Sequence, residues 1–374
     1  MSGQESNKRP LPSGCEPLCP GCAHRHLTYH ESLAQKQAWL EKKLAPWSGH
    51  IRPIQTAGPE FQWNYRKKVC LSACHAHGKW HFGLIKNDTV IPIHHCPVHS
   101  PTIREAVTLF ASVLPKRADF PLAYFAQTGC QITLVVKSKE MPDMSWLDDS
   151  VIRAMKTIGI QGLWLHLHPC AGKKVFAKNT WHLVYGVPRS IGEDHRVYGP
   201  RAFQQLIPSL YETALGEAAM FFAPERKDAL VDLYCGTGSG LARWVKKDCR
   251  VIGVELDGEA VACARENAPD TEILRGKCTD RIPQLNAWAA ATHKTGRRLL
   301  YANPPRTGLE PAILEWIIET YHPDQMAYLS CSAGTLQRDL TRLVSCGYGI
   351  VGLIPFDFFP RTLHVETLAV VQSA

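Results

Sequence analysis

From about residue 200 onward, short apolar runs alternate with segments of helical period, and this alternation constrains the fold more than any other feature. FQQLIPSLYETALGEAAMFF reads as a helix, LVDLYCGTGSG as a strand entering a glycine loop, and LARWVKK as the helix that follows. VIGVELD and EAVACARENA repeat the strand–helix pair, as do RRLLYANPP with LEPAILEWIIETY and QMAYLSC with TLQRDLTRLVSC; VETLAVV closes the chain as a last strand. Such alternation implies an α/β domain with a doubly wound, mainly parallel sheet. The expected boundary gives one domain over 1–195 and a second over 196–374.

The first part obeys a different rule. Residues 1–14 read as a polar lead, and His30–Leu44 as a helix with Leu33, Gln37, Leu40 and Leu44 on one side. Beyond Asn64, runs such as YRKKVCLSAC, KWHFGLI, CQITLVVK and GLWLHLHP are strand-like with breakers between them, so a mostly antiparallel β domain is expected. The N-terminus lacks the apolar core of a signal peptide, and no stretch reaches the roughly 18 apolar residues that span a bilayer. A cytoplasmic protein without a membrane partner is expected, so disulfides are disfavoured for its 14 cysteines. The formal net charge of +8 is compatible with a polyanionic partner without requiring one.

Two motifs fall at strand ends, where open α/β sheets bind ligands. In Asp232-Leu-Tyr-Cys-Gly236-Thr-Gly238-Ser-Gly240 the glycines let a ligand approach the backbone, and Glu255 ends the next strand, where a carboxylate can accept both hydroxyls of a ribose. A ligand-free tight turn or a nicotinamide site is the alternative. The acidic start of the loop and Asn303-Pro304-Pro305-Arg306 at a later strand end favour S-adenosylmethionine.

Taken in order, DLYCGTGSG, VIGVE, ARENA, NPPRTGL, LSCSAGTLQRDL and FDFFPRTLHVE resemble the uracil-5 RNA methyltransferases, over nearly the whole chain from Cys15 to Val371. The sequence looks closest to the shorter ribosomal branch, the RlmC type, which has Asn in its NPPR motif and no extra N-terminal β-barrel. The resemblance implies a Rossmann-like class I methyltransferase domain and an RNA substrate, ribosomal RNA before transfer RNA, acted on by a monomer. Carried over by position, Gln205, Tyr234, Gly236, Glu255 and Asn303 correspond to cofactor-binding residues.

The chemistry then needs two more groups. Uracil C5 is a poor nucleophile until a thiolate adds at C6 and leaves negative charge on C5. After methyl transfer a base must remove the C5 proton so that the thiol can leave. Cys331, at a strand end before a helix, matches the family's nucleophile, and a helix N-terminus is expected to lower its pKa. Cys235 is the second candidate. Glu366 matches the base, with His364 a candidate to orient it. A catalytically silent RNA-binding factor of the same fold is the rival reading.

Cys15, Cys19 and Cys22, with Cys96 in HHCPVHSP, supply four thiolates for a [4Fe–4S] cluster or a zinc ion, and spacing does not choose between them. The resemblance implies iron–sulfur, with zinc the runner-up. Cys70, Cys74, His75, His77 and His81 suggest a second metal site, although strand-like packing explains Cys70 and Cys74 as well. Asn64-Tyr65-Arg66-Lys67-Lys68 is expected to contact RNA, with Tyr65 stacking on a base. Ile207, Lys277 and Ser332-Ala333 depart from the family pattern.

Overall fold

The computed structural model describes residues 10–117, 119–172, 174–177, 180–246, 249–292 and 296–374. The expected polar lead lies outside the described residues as far as residue 9. The described chain forms two compact units: one of residues up to Ser32, Gly58–Gly192 and Pro360–Leu363, the other of Leu33–Ala57, Glu193–Phe359 and His364–Ala374. The chain therefore passes between the units several times instead of once near residue 195.

The first unit carries seven strands: β1 (Lys68–Ala76), β2 (Lys79–Lys86), β3 (Thr89–Pro92), β4 (Leu122–Thr128), β5 (Gln131–Val136), β6 (Gly162–Leu167) and β7 (Trp181–Gly186). They form one sheet in the order β3-β2-β1-β4-β5-β6-β7. All neighbours are antiparallel except β5 and β6, in line with the sequence reading. The β1–β2 hairpin turns on His77 and Gly78, both at positive φ, the conformation that a tight two-residue hairpin loop requires. Helix α2 (Pro101–Val113) starts where the Ser100 side chain accepts from Ile103 N, with Pro101 in the first turn. It buries Ile103, Ala106, Val107 and Phe110 at helical spacing. Phe125 meets Phe82 and Phe110 at ring separations of 5.3 and 5.6 Å in the core of this unit.

The short strands β8 (Ser190–Ile191) and β9 (Val197–Tyr198) precede the second sheet. That sheet comprises β10 (Ala229–Leu233), β11 (Arg250–Glu255), β12 (Glu272–Arg275), β13 (Arg298–Ala302), β14 (Gln325–Ser330), β15 (Tyr348–Phe356) and β16 (Glu366–Ser373), in the order β12-β11-β10-β13-β14-β16-β15. The first five run parallel, and β16 is antiparallel to both β14 and β15. Strand order reverses between β10 and β13, and this switch point opens a crevice at the carboxyl ends of the strands. Central β10, ALVDL, is buried along its whole length, as a parallel strand covered on both faces should be.

The sequence reading missed β15. Its text, YGIVGLIPF, carries two glycines and a proline that read as breakers. As an edge strand it tolerates both residue types. Its presence places β16 inside the sheet, and the β14–β16 register pairs Leu329 with Leu368 and Ser330 with Thr367. Continued by one residue, that antiparallel register sets Cys331 opposite Glu366.

Helix α1 (Tyr29–Lys43) forms where expected, but within the second unit its buried side is Lys36, Leu40 and Leu44. Lys36 Nζ lies 2.6 Å from Asp357 Oδ1 and donates to Phe359 O at 3.0 Å, with both charged side chains fully buried. Burial lowers the Lys36 pKa, and Asp357 opposes that shift.

Candidate active site

The glycine loop follows β10 and leads into helix α5 (Ser239–Val245). Gly236 and Gly238 both lie at positive φ. A Cβ at Gly240 would come within 2.5 Å of Asp232 Oδ2 and 3.0 Å of Trp244 Nε1, so only glycine fits over the Asp232–Trp244 hydrogen bond of 3.0 Å. Tyr234 holds a left-handed conformation at φ 59° with its ring half-buried against the core. A non-glycine residue pays for that backbone with strain.

Glu255 ends β11 with one carboxylate oxygen accepting from Gly236 N at 3.0 Å and the other from Asp257 N at 2.7 Å. Burial raises its pKa, and these two amides work against that rise. Each oxygen keeps a lone pair for a further donor. Asn303 leaves β13 beside the loop, its amide donating to Leu233 O at 3.3 Å. Among the described residues Asp232 Oδ1 and Gln205 Oε1 are buried atoms without a hydrogen-bond partner, while the buried Tyr301 hydroxyl is bonded to that of Tyr211. Burial pushes the Asp232 carboxyl up to about 8, with Trp244 holding it down and Glu255 adding to the rise. Buried polar atoms of this kind are normally satisfied, so an unmet acceptor on β10 just before the glycine loop fits a polar ligand at the strand ends.

Cys331 sits between the end of β14 and helix α9 (Ala333–Ser345), whose N-cap is Ser332, accepting from Thr335 N. The net shift of its pKa is upward, not downward. Burial raises it, Glu366 raises it further, and the Arg306 guanidinium opposes both. Glu366 is 3% exposed rather than solvated, and its carboxyl is pushed up to about 7 by burial, against the pull of Gln205 and Arg306. Gln205 Nε2 donates to Glu366 Oε2 at 3.3 Å. Gln205, read as a cofactor contact, thus lies against the candidate base. His364, read as its orienting partner, is exposed, with its ring 5.8 Å from that of Phe359. Cys235, the second candidate nucleophile, is buried, and its thiol is held well above the ordinary range by burial and by Asp232.

Arg306 is a further candidate that the sequence reading did not single out. It follows the NPP turn after β13, and its charge lowers the pKa of both Cys331 and Glu366. Its loop is clamped from α9. Thr335 Oγ1 donates to Arg306 O, Arg338 donates to Thr307 O and Leu309 O, and buried Asp339 accepts from Leu309 N at 3.1 Å and from the Tyr328 hydroxyl at 2.8 Å. An arginine directly after a strand-end NPP was the available signal.

In the first unit, Cys15, Cys19, Cys22 and Cys96 line one small cavity together with Arg25 and Trp63. Arg25 gathers the arm by donating to the carbonyls of Glu16, Pro17 and Cys19. Burial raises the thiol of Cys22 to about 11, and Cys96, Cys19 and Cys15 contribute; burial is also the main cause of the rises at Cys15 and Cys96. The side chains are not drawn into a coordination geometry: among the described residues no group of three or more His, Cys, Asp or Glu is arranged to hold a metal ion. That statement covers the Cys70–His81 segment as well. Tyr65 cannot stack on a base as expected, because it is 3% exposed and its hydroxyl donates to Pro360 O at 3.0 Å. Among the described residues no helix is long and apolar enough to cross a membrane.

A tRNA (uracil-5-)-methyltransferase family model matches residues 293–373, the part that carries Asn303, Arg306, Cys331 and Glu366. A protein of Bacillus anthracis named as an uncharacterised RNA methyltransferase is 29% identical over 94% of this chain and 80% of its own length. The 23S rRNA (uracil(1939)-C(5))-methyltransferase RlmD of Pseudomonas fluorescens is 26% identical over 98% of this chain and 81% of its own. In fold, the chain is similar to a Pyrococcus abyssi tRNA (uracil-54, C5)-methyltransferase crystallised with S-adenosyl-L-homocysteine. The TM-score is 0.71 at 20% identity, over 95% of this chain and 86% of that one. Along nearly its whole length the chain is thus similar to RNA methyltransferases, and its residues 293–373 match the tRNA (uracil-5-)-methyltransferase family model.

Proposed function

We propose that the chain methylates C5 of a uridine in RNA through a covalent bond from Cys331 Sγ to C6, with Glu366 as the base. The observation that carries this is the antiparallel β14–β16 register, which brings a thiol and a carboxyl titrating near 7 opposite one another, with the charge of Arg306 felt by both. When bound, S-adenosylmethionine supplies an electrophilic methyl group. The Cys331 thiolate adds to C6, and the electron pair displaced from the C5–C6 bond makes C5 nucleophilic. Once C5 carries the methyl, Glu366 takes the C5 proton, the C5–C6 double bond re-forms and the thiolate leaves. A base titrating near 7 suits this role, because it is part-ionised at neutral pH and can return its proton to solvent. Arg306 is suited to offset the negative charge that develops on the uracil. Glu255 is suited to the ribose hydroxyls of the cofactor. Asp232 and Asn303 are suited to its methionine end, and the Gly236 turn leaves room for its backbone approach.

The substrate we favour is 23S ribosomal RNA, supported by the match to the Pseudomonas fluorescens enzyme along 98% of the chain. Transfer RNA is the second reading, favoured by the description of the matching family model. A silent RNA-binding factor has no need for Cys331, Glu366 and Arg306 together. Mass-mapping of ribosomal and transfer RNA from a strain lacking the gene, before and after its restoration, tests the reading. One 5-methyluridine should vanish and return; unchanged RNA in both pools contradicts it.

The cysteine arm is suited to a [4Fe–4S] cluster on Cys15, Cys19, Cys22 and Cys96, with zinc the runner-up. Four sulfur donors around one cavity support this reading, and their raised pKa values reflect burial and mutual repulsion that a bound cation would relieve. Such a cluster would supply a cross-link between the arm and the loop after β3.

A further inference from the structure

Within the first unit, a second cavity of about 680 Å³ lies against the other side of the cysteine arm. Gly14 and Cys15 form one wall, Lys79 and His81 of β2 and the loop residue His94 form another, and Lys116 beyond α2 closes the edge. The volume is in the range of pockets that hold a whole small ligand.

Three observations mark it as a built site. Gly14 is at φ +77°, and a Cβ there would lie 2.3 Å from His95 O, so the arm is seated tightly on the loop after β3 and the wall is fixed. The indole of Trp80, also part of the lining, is 3% exposed and pinned by its Nε1 donating to Pro115 O at 2.9 Å. His94 Nε2 accepts from Phe82 N at 3.0 Å, which leaves Nδ1 as the ring donor, and its ring lies 6.1 Å from that of His81. Neither Lys79 nor Lys116 has an ion pair among the described residues, and Glu16 is the only carboxylate in the lining.

Two cations without an ion pair among the described residues, beside the half-buried imidazole rings of His81 and His94, suit a phosphate attached to a base. The histidine-rich run CLSACHAHGKWH, which the sequence reading considered for a metal, supplies part of this wall instead. We propose that the cavity binds one nucleotide of the RNA substrate other than the target uridine, its phosphate held by Lys79 and Lys116 and its base against His81 and His94. The proposal rests on the reading that this chain acts on RNA.

Lys79 and Lys116 are exposed, so Lys79→Glu/Lys116→Glu should fold normally. Lys137→Glu/Lys139→Glu, at two exposed lysines outside the cavity, makes the same change in net charge and is the control. The probes are a labelled single-stranded fragment of the methylated RNA and free UMP and AMP. The cavity variant should bind the fragment at least tenfold more weakly than the control does, with a salt dependence shallower by about two ions. KM for RNA should rise while kcat and adenosylmethionine binding stay unchanged. Ala111→Trp, which fills the cavity without changing charge, should weaken RNA binding in the same way. If the cavity variant loses UMP or AMP binding while RNA binding matches the control, the cavity takes a free nucleotide and the RNA assignment is overturned. If RNA binding and KM match the control and neither free nucleotide binds, the proposal fails outright. Absence of RNA methylation by the wild-type enzyme is a different failure, that of the underlying reading.

Discussion

Gln205 Nε2 donates to Glu366 Oε2 across 3.3 Å inside a buried pocket, and the other Gln205 amide atom, Oε1, has no partner there. One side chain thus donates to the candidate base in its ionised form while keeping a buried acceptor unmet among the described residues. The arrangement ties the segment before α4 (Pro208–Phe222) to the start of β16, two stretches far apart in sequence.

Replacing Gln205 by Leu should shift the pH dependence of the reaction. Glu366 works as a base only when ionised, so kcat/KM should rise with pH through about 7 in the wild type. Without the Gln205 donor the ionised form loses a hydrogen bond and the acid limb should move upward, by about one unit or less. A pH–rate profile with an unmoved acid limb contradicts this role.

Stability should show the same titration with a defined sign. The Glu366 carboxyl is pushed up to about 7 in the folded chain, above its unfolded value. The fold therefore favours the protonated form. The stabilisation is fully present below the unfolded pKa and is lost as pH rises through about 7. On the order of 3 kcal/mol is involved, and Glu366→Gln should abolish that part of the pH dependence. Urea midpoints of the ligand-free wild type and variant between pH 4 and 8 measure it; parallel curves contradict the assignment.

Glu255→Ala should weaken adenosylmethionine binding by about 1.5–3 kcal/mol, or roughly ten- to a hundredfold, because a charge-assisted acceptor is lost. Since Glu255 also holds Gly236 N and Asp257 N, Glu255→Gln serves as the control that keeps one acceptor. Calorimetry giving the wild-type affinity for Glu255→Ala would place the cofactor elsewhere.

Anaerobically purified protein should be brown and carry about four irons and four sulfides per chain. Cys22→Ser should lose them and lower the thermal midpoint, since ligand binding by the arm is coupled to its folding. One zinc with no iron after anaerobic handling contradicts the cluster and favours the runner-up.

The sheet of the second unit was legible because parallel strands buried on both faces read as unbroken apolar runs, as in ALVDL and RVIGVE. The glycine loop and Glu255 were legible because backbone geometry and ligand approach dictate residue type there. Edge strand β15 was not, since glycine and proline are tolerated at an edge and erase the pattern. Lys36 was unreadable as a core residue because its partner Asp357 lies 321 residues away. Tyr65 looked like an exposed stacking surface among cations, yet its ring is buried and its hydroxyl has a backbone acceptor. The contact of Gln205 with Glu366 was visible only in three dimensions, because nothing in RAFQQL points to a partner 161 residues away.

The measurement that tests the central claim most directly is denaturing gel electrophoresis, with mass analysis, of enzyme incubated with RNA and adenosylmethionine. Glu366→Gln keeps the thiol but lacks the base, so it should add Cys331 to C6, gain the methyl at C5 and stall. The expected product is an RNA–protein conjugate whose mass includes the transferred methyl, with the crosslinked peptide containing Cys331. Cys331→Ala should form no conjugate and no 5-methyluridine. Normal turnover by Glu366→Gln, or a conjugate formed by Cys331→Ala, contradicts the account.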